Sequence, residues 1–253
     1  SAASDVYKRQ VVVNEIAIPT MIRREVSYGN AVHCGEMILE RLVARHVCIG
    51  EIQDTLSQGV IPVVTSSYEE LLDQLHPDVV VDAILAKKNL GTTRLDAPFV
   101  IGVGPGFSAG RDVNVVIETM RGHNLGRCIY DGEAQPNTGI PGNVGGYTHE
   151  RVIHSPKAGA FTAKRHIGDE VQANEVIGYV DEEPVRAKIT GTLRGILKTG
   201  LIVSDHFKLA DVDARCEESH CYSISDKSLA VGGGVLEAVT AWDYERNKDG
   251  KHL

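Results

Sequence analysis

Two stretches of the chain carry residues whose types and spacing suit the binding of an anion. In the first, AKKNLG at 86–91, Lys87 and Lys88 supply two ammonium groups and Asn89 an amide. In the second, GVGPGFSAG at 102–110, Gly104, Gly106 and Gly110 tolerate left-handed backbone and let another group approach the main chain closely, while Pro105 stiffens the turn and Phe107 follows it. Arg121 and His123 add further cationic or hydrogen-bonding groups shortly afterwards. Read from Gly104, the glycine spacing fits the looser dinucleotide pattern ending in Ala109, with Asp131 about 20 residues on for a ribose hydroxyl. Read from Gly102 it fails, because Phe107 stands where the third glycine belongs; the alternative is a purely structural turn. Glu15, at the end of an apolar run Val11, Val12, Val13, is a second carboxylate placed for a ribose hydroxyl or, equally, for solvent. Cys221 is a candidate reactive thiol, since His220, Arg215 and Lys227 stand near it in sequence and would favour the thiolate; the alternative is a half-buried cysteine in a strand. Cys216, His220 and Cys221 match no closed zinc motif, so no metal site is expected.

These residues need elements to position them. Phe99, Val100, Ile101 and Val103 form the apolar run of a strand covered on both faces. Val113, Val116, Ile117 and Met120 recur at the spacing of an amphipathic helix, so a strand, a glycine turn and a helix N-terminus are predicted in succession. Asp112 stands at the expected N-cap, where its carboxylate would take the free amides and repel a phosphate at short range. Residues 60–64 and 79–85 read as buried strands flanking a helix with Tyr68, Leu71, Leu72 and Leu75 on one face, which Pro77 ends. Lys87, Lys88 and Asn89 then fall at the C-terminal edge of a parallel sheet, where ligands of open α/β sheets bind.

The expected fold is therefore α/β: a Rossmann-like parallel sheet over residues 11–140, its N-terminal strand and glycine loop truncated, then a small all-β domain over residues 141–253. The second half is short, β-branched and punctuated by glycine, and its phrases resemble the barrel-sandwich of biotinyl and lipoyl carriers. The carrier's modified lysine is not at the tip of its hairpin, which reads Asp181, Glu182, Glu183, Pro184, so a docking or structural module is expected. A closing helix is placed at 235–239, followed by a charged tail, and residues 1–10, SAASDVYKRQ, read as a non-native leader.

Composition narrows the partners. A net charge of −8 argues against nucleic acid and against an anionic membrane surface, and no apolar run approaches the length of a membrane span. Five scattered cysteines suit a reducing cytoplasm better than a disulfide framework.

Several long motifs in one order, AKKNLG at 86–91, GPGFSAG at 104–110, IETMRGH at 117–123, PNTGIPG at 136–142 and ISDKSLAVGGGVLE at 224–237, resemble the YqeB family, the accessory or maturation proteins of selenium-dependent molybdenum hydroxylases. The resemblance runs from Val11 to Ala241. It implies a bacterial or archaeal cytoplasmic factor that partners a selenium-dependent molybdenum hydroxylase subunit and helps install selenium or a sulfurated molybdenum cofactor. The family opens with a strand and a Gly-Ala-Gly-Asp turn that this sequence lacks, so the chain is expected to start inside an element, with Glu15 at the matching strand end. On this reading a phosphate-bearing small molecule, either the molybdenum cofactor or a nucleotide, is held by Lys87, Lys88, Asn89 and the Gly104 to Gly110 loop with help from Arg121 and His123, and Cys221 carries a chalcogen atom transiently. The other readings are an NAD(P)-dependent oxidoreductase and a non-catalytic scaffold docking to a hydroxylase subunit.

Overall fold

The computed structural model describes residues 10–140 and 142–249; the leader expected at 1–10 lies outside them except for Gln10. The chain packs as two compact units, each discontinuous in sequence: one joins the segment ending at Tyr68 to the segment ending at Ser223, and the other joins Glu69–Ile140 to the segment beginning at Ile224.

In the first unit, β1 (Val13–Asn14), β4 (Ile61–Val64) and β3 (Leu42–His46) run parallel, and β2 (Glu36–Leu39) closes a hairpin onto β3. The remainder of this unit is antiparallel. One sheet orders β11 (Val152–His154), β18 (Lys208–Asp213), β16 (Gly191–Ile196) and β13 (Glu170–Val171); the other orders β15 (Glu183–Arg186), β14 (Val176–Val180), β12 (Gly159–Ala163) and β17 (Ile202–Val203). Alternate residues of these strands, among them Phe161, Ile177, Leu193, Ile196 and Leu209, enter a single fully buried core. Ile22, far away in sequence, joins that core and bonds through its carbonyl to the Ile196 amide at 2.9 Å.

The second unit centres on a four-stranded sheet ordered β5 (Val79–Asp82), β6 (Phe99–Val103), β8 (Val115–Ile117), β9 (Cys128–Ile129), the first three parallel and the last antiparallel. Every residue of β6 is buried, because both faces are covered. Phe99 and Ile101 face Ala238 and Trp242 of the long helix Asp226–Asp249, with the Phe99 and Trp242 rings stacked at 5.3 Å. Val100 faces Phe107, Ala109 and Val113 of the crossover to β8. That crossover contains β7 (Ser108–Ala109), paired with β10 (Gly132–Glu133) in a two-stranded ribbon.

This architecture overturns the Rossmann-like sheet followed by a barrel-sandwich. The strands are divided among five sheets and most of their pairings are antiparallel. The helix expected from Val113, Val116, Ile117 and Met120 is instead the strand β8, wholly buried beside β6. Val115 and Ile117 pack toward the long helix while Val113 and Val116 pack toward Phe107, so a period of two was hidden in a run apolar at both kinds of spacing. The second half forms two open four-stranded antiparallel sheets over a core that needs Ile22, not a self-contained closed module.

The long helix approaches its unit at one glycine of three. A Cβ on Gly234 would stand 2.1 Å from the Gly126 carbonyl oxygen, whereas one on Gly232 or Gly233 would meet nothing within 4 Å. Urea unfolding of the full chain should accordingly separate neighbours: Gly233→Ala is expected to stabilise by about 1 kcal/mol through helix propensity, and Gly234→Ala to destabilise by about 1–3 kcal/mol through overpacking.

Candidate anion site

The site is built at the C-terminal ends of β5 and β6 in the second unit. Strand β5 ends on Asp82, whose buried carboxylate accepts the Thr92 hydroxyl at 2.7 Å and the Ile84 amide at 3.1 Å. The loop between them is closed a second time by Asn89, which donates to the Thr92 carbonyl and accepts the Gly91 amide, both at 2.8 Å. Within this double clamp Leu85 and Lys87 sit at φ +60° and +63°, a conformation that costs non-glycine residues roughly 1–3 kcal/mol each.

The second loop touches the first through backbone. Gly104 and Gly106 have φ +86° and +114°, and a Cβ on Gly106 would lie 2.6 Å from both the Cα and the amide nitrogen of Lys88. Only glycine permits that approach. Lys87 and Lys88 are both exposed, and neither has a hydrogen-bond or ion-pair partner among the described residues. Two unpaired ammonium groups are thus presented at the junction of two glycine-stabilised bends.

Other residues named from the sequence fall in different places. Asn89 spends its amide on its own loop. Phe107 turns back into the core, its ring within 2.5 Å of where a Gly102 Cβ would stand. Gly110 bonds to Val113 at 2.9 Å, just before β8, and so lies at the opposite end of the parallel strands from Gly104. Asp131 follows antiparallel β9 toward that same far end. The dinucleotide pattern is therefore split between two ends of the sheet, and the helix it requires after the turn is the strand β8. Asp112 caps a turn rather than a helix: its carboxylate accepts the Ser108 amide at 2.9 Å and pairs with Arg111, whose hydrogen bond lowers its pKa.

After β8 the chain returns to the near end. Arg121 forms a two-pronged pair with Asp226, at 2.6 and 2.8 Å. His123 is exposed and lines a shallow cleft with Leu125, Arg127, Cys128 and Glu237. Lys227, which sequence reasoning tied only to Cys221, stands in the field of Arg121 and Lys87. The signal that could have found it is its place beside Asp226 in the ISDK phrase.

Glu15 and Cys221 belong to the first unit. The Glu15 carboxylate accepts the Ile16 amide at 2.8 Å and leans on Gly29. Cys221 is only 1% exposed. Burial pushes its thiol pKa up, and this outweighs the pull of Arg23 and Arg194, the guanidiniums that act on it.

No protein-family model matches the chain. It is 47% identical over 231 residues to the uncharacterized protein YqeB of Escherichia coli (strain K12), a match covering 91% of this chain and 43% of that protein. The similarity supports the YqeB family. The chain spans less than half the length of that relative. Among solved structures, an aspartoacylase family protein from Mesorhizobium loti matches 34% of this chain and 27% of its own at 17% identity and a TM-score of 0.25. The product-bound ectoine utilization protein EutE (DoeB) from Ruegeria pomeroyi matches 33% and 27% at 20% identity and a TM-score of 0.25. Likeness at that level carries no argument about fold or activity. Among the described residues, no helix is long and apolar enough to cross a membrane, and no group of His, Cys, Asp and Glu is arranged to hold a metal ion.

The burial of Cys221 sets an order of reactivity toward a thiol-specific disulfide reagent. Exposed Cys34, Cys48 and Cys216 should react in the native protein, and Cys221 only on unfolding. A fast native phase lost in Cys221→Ser would contradict this assignment.

Proposed function

We propose that the chain is the anion-holding part of an accessory protein, and that the bends after β5 and β6 bind a phosphate-bearing cofactor or nucleotide. The observation that carries this is the main-chain contact of Gly106 with Lys88, which holds two unpaired lysines at one strand edge. The ammonium pair suits the terminal phosphate of a pterin cofactor as well as that of a nucleotide, because both present the same charge and acceptor oxygens.

From its resemblance to the YqeB family, the process we propose is the maturation of selenium-dependent molybdenum hydroxylases in the bacterial cytoplasm, with a hydroxylase subunit as partner. Cys221 stands outside this proposal. A chalcogen-carrying thiol must be accessible and ionised, and burial opposes both.

Mass spectrometry of small molecules that co-purify with the full-length homologue tests the ligand class: a phosphate-bearing compound is expected, and a preparation free of any such compound counts against it. Titration with inorganic pyrophosphate tests the place. Replacing Lys87 and Lys88 together by Gln should weaken binding by about tenfold or more, and Gly106→Ala should do so by forcing the two bends apart. Unchanged affinity in both variants would remove the site.

A further inference from the structure

Lys227 lies on the first turn of the helix Asp226–Asp249 and is half-buried, and its ammonium has no hydrogen-bond or ion-pair partner among the described residues. The bend after β5 and the turn after β8 meet around Gly104, where a Cβ would stand 2.9 Å from the Thr119 hydroxyl and 3.7 Å from the Leu85 side chain, and Arg121 reaches from the same turn to Asp226 beside Lys227. Burial lowers the Lys227 pKa, and the positive charges of Arg121 and then Lys87 lower it further, against the opposing influence of Glu118. Neither nearby acid makes an ion pair with it. Asp226 holds both prongs of Arg121, and the buried Glu118 carboxylate accepts the Met120 amide at 2.7 Å and the Gln135 amide at 2.8 Å. A half-buried ammonium among like charges is unfavourable unless an anion joins it. The three cations come from three separate segments: the bend after β5, the turn after β8 and the start of the long helix. Chance proximity along the chain does not explain the grouping.

We propose that Lys227 is a binding residue of the same anion site, acting with Lys87 and Arg121, and that the site is built for a dianionic phosphate group rather than a carboxylate. This rests on the anion-site reading of Lys87 and Lys88. Arg121, fixed by Asp226, adds a positioned guanidinium beside the site, while the two lysines supply point charges that follow the oxygens of a tetrahedral anion. A carboxylate offers two oxygens and one charge, which leaves cationic charge uncompensated.

The test is calorimetric titration of the full chain with inorganic pyrophosphate and, separately, with succinate. Alongside it, the amines of the wild-type protein are acylated with and without pyrophosphate and read by mass spectrometry. Pyrophosphate is expected to bind more tightly than succinate and to protect Lys227 from acylation. Lys227→Gln should lose about tenfold in pyrophosphate affinity, Lys227→Arg should recover most of it, and Lys188→Gln, at an exposed lysine of the other unit, should bind as wild type. Wild-type affinity in Lys227→Gln together with unprotected Lys227 overturns this inference while leaving the Lys87 and Lys88 site standing. Failure of the wild-type chain to bind pyrophosphate overturns both. Succinate bound as tightly as pyrophosphate overturns the phosphate preference. Should Lys227→Gln fail to fold, the protection measured on the wild-type chain decides.

Discussion

The second unit depends on one close approach of backbone to backbone, that of Gly106 against Lys88. A side chain at 106 would drive the two bends apart, and the left-handed backbone at Gly104 and Gly106 is what aims the second bend at the first. The partner bend is itself held in conformations that non-glycine residues avoid, at Leu85 and Lys87. It keeps them because Asp82, Thr92 and Asn89 tie its base together with short hydrogen bonds. Strain at the tip is thus balanced by satisfied polar groups at the base.

The same economy of polar groups shapes the electrostatics. The chain carries a net charge of −8, yet the acids nearest the site are engaged: Asp82 with a hydroxyl and an amide, Glu118 with two amides, and Asp226 with Arg121. Carboxylates held by main-chain amides are fixed in place, and none of these makes an ion pair with the lysines. Lys87, Lys88 and Lys227 are left without partners by that allocation, so a local excess of positive charge arises in an acidic protein. Cys221 illustrates the opposite case, since two guanidiniums act on it and the low-dielectric surroundings still favour the neutral thiol.

Legibility of the fold varied with how far each residue's neighbours lay in sequence. The strand at Phe99–Val103 and the helix at Tyr68–Leu75 were readable, because a run covered on both faces and an amphipathic face with a following proline are local signals. The helix expected over residues 113–120 gives way to a strand, because the apolar positions there satisfy both periods and only pairing with β6 chooses between them. Phe107, placed by its motif at the ligand loop, lays its ring over Gly102 instead, a neighbour set by the crossover. Gly110 and Asp131 share a motif with Gly104 on paper and lie toward the other end of the strands, because no helix follows the turn.

The sequence alone determined the chemical inventory of the site: two adjacent lysines, a glycine-proline-glycine bend and a later arginine, each in a short motif whose local conformation is largely its own. Tertiary structure decided which of these meet, how the nearby acids are engaged, and that Arg121 reaches the start of a helix more than a hundred residues further on, at Asp226 beside Lys227. Proximity between distant segments depends on strand order and on where backbone can approach backbone, and neither is encoded within a single motif.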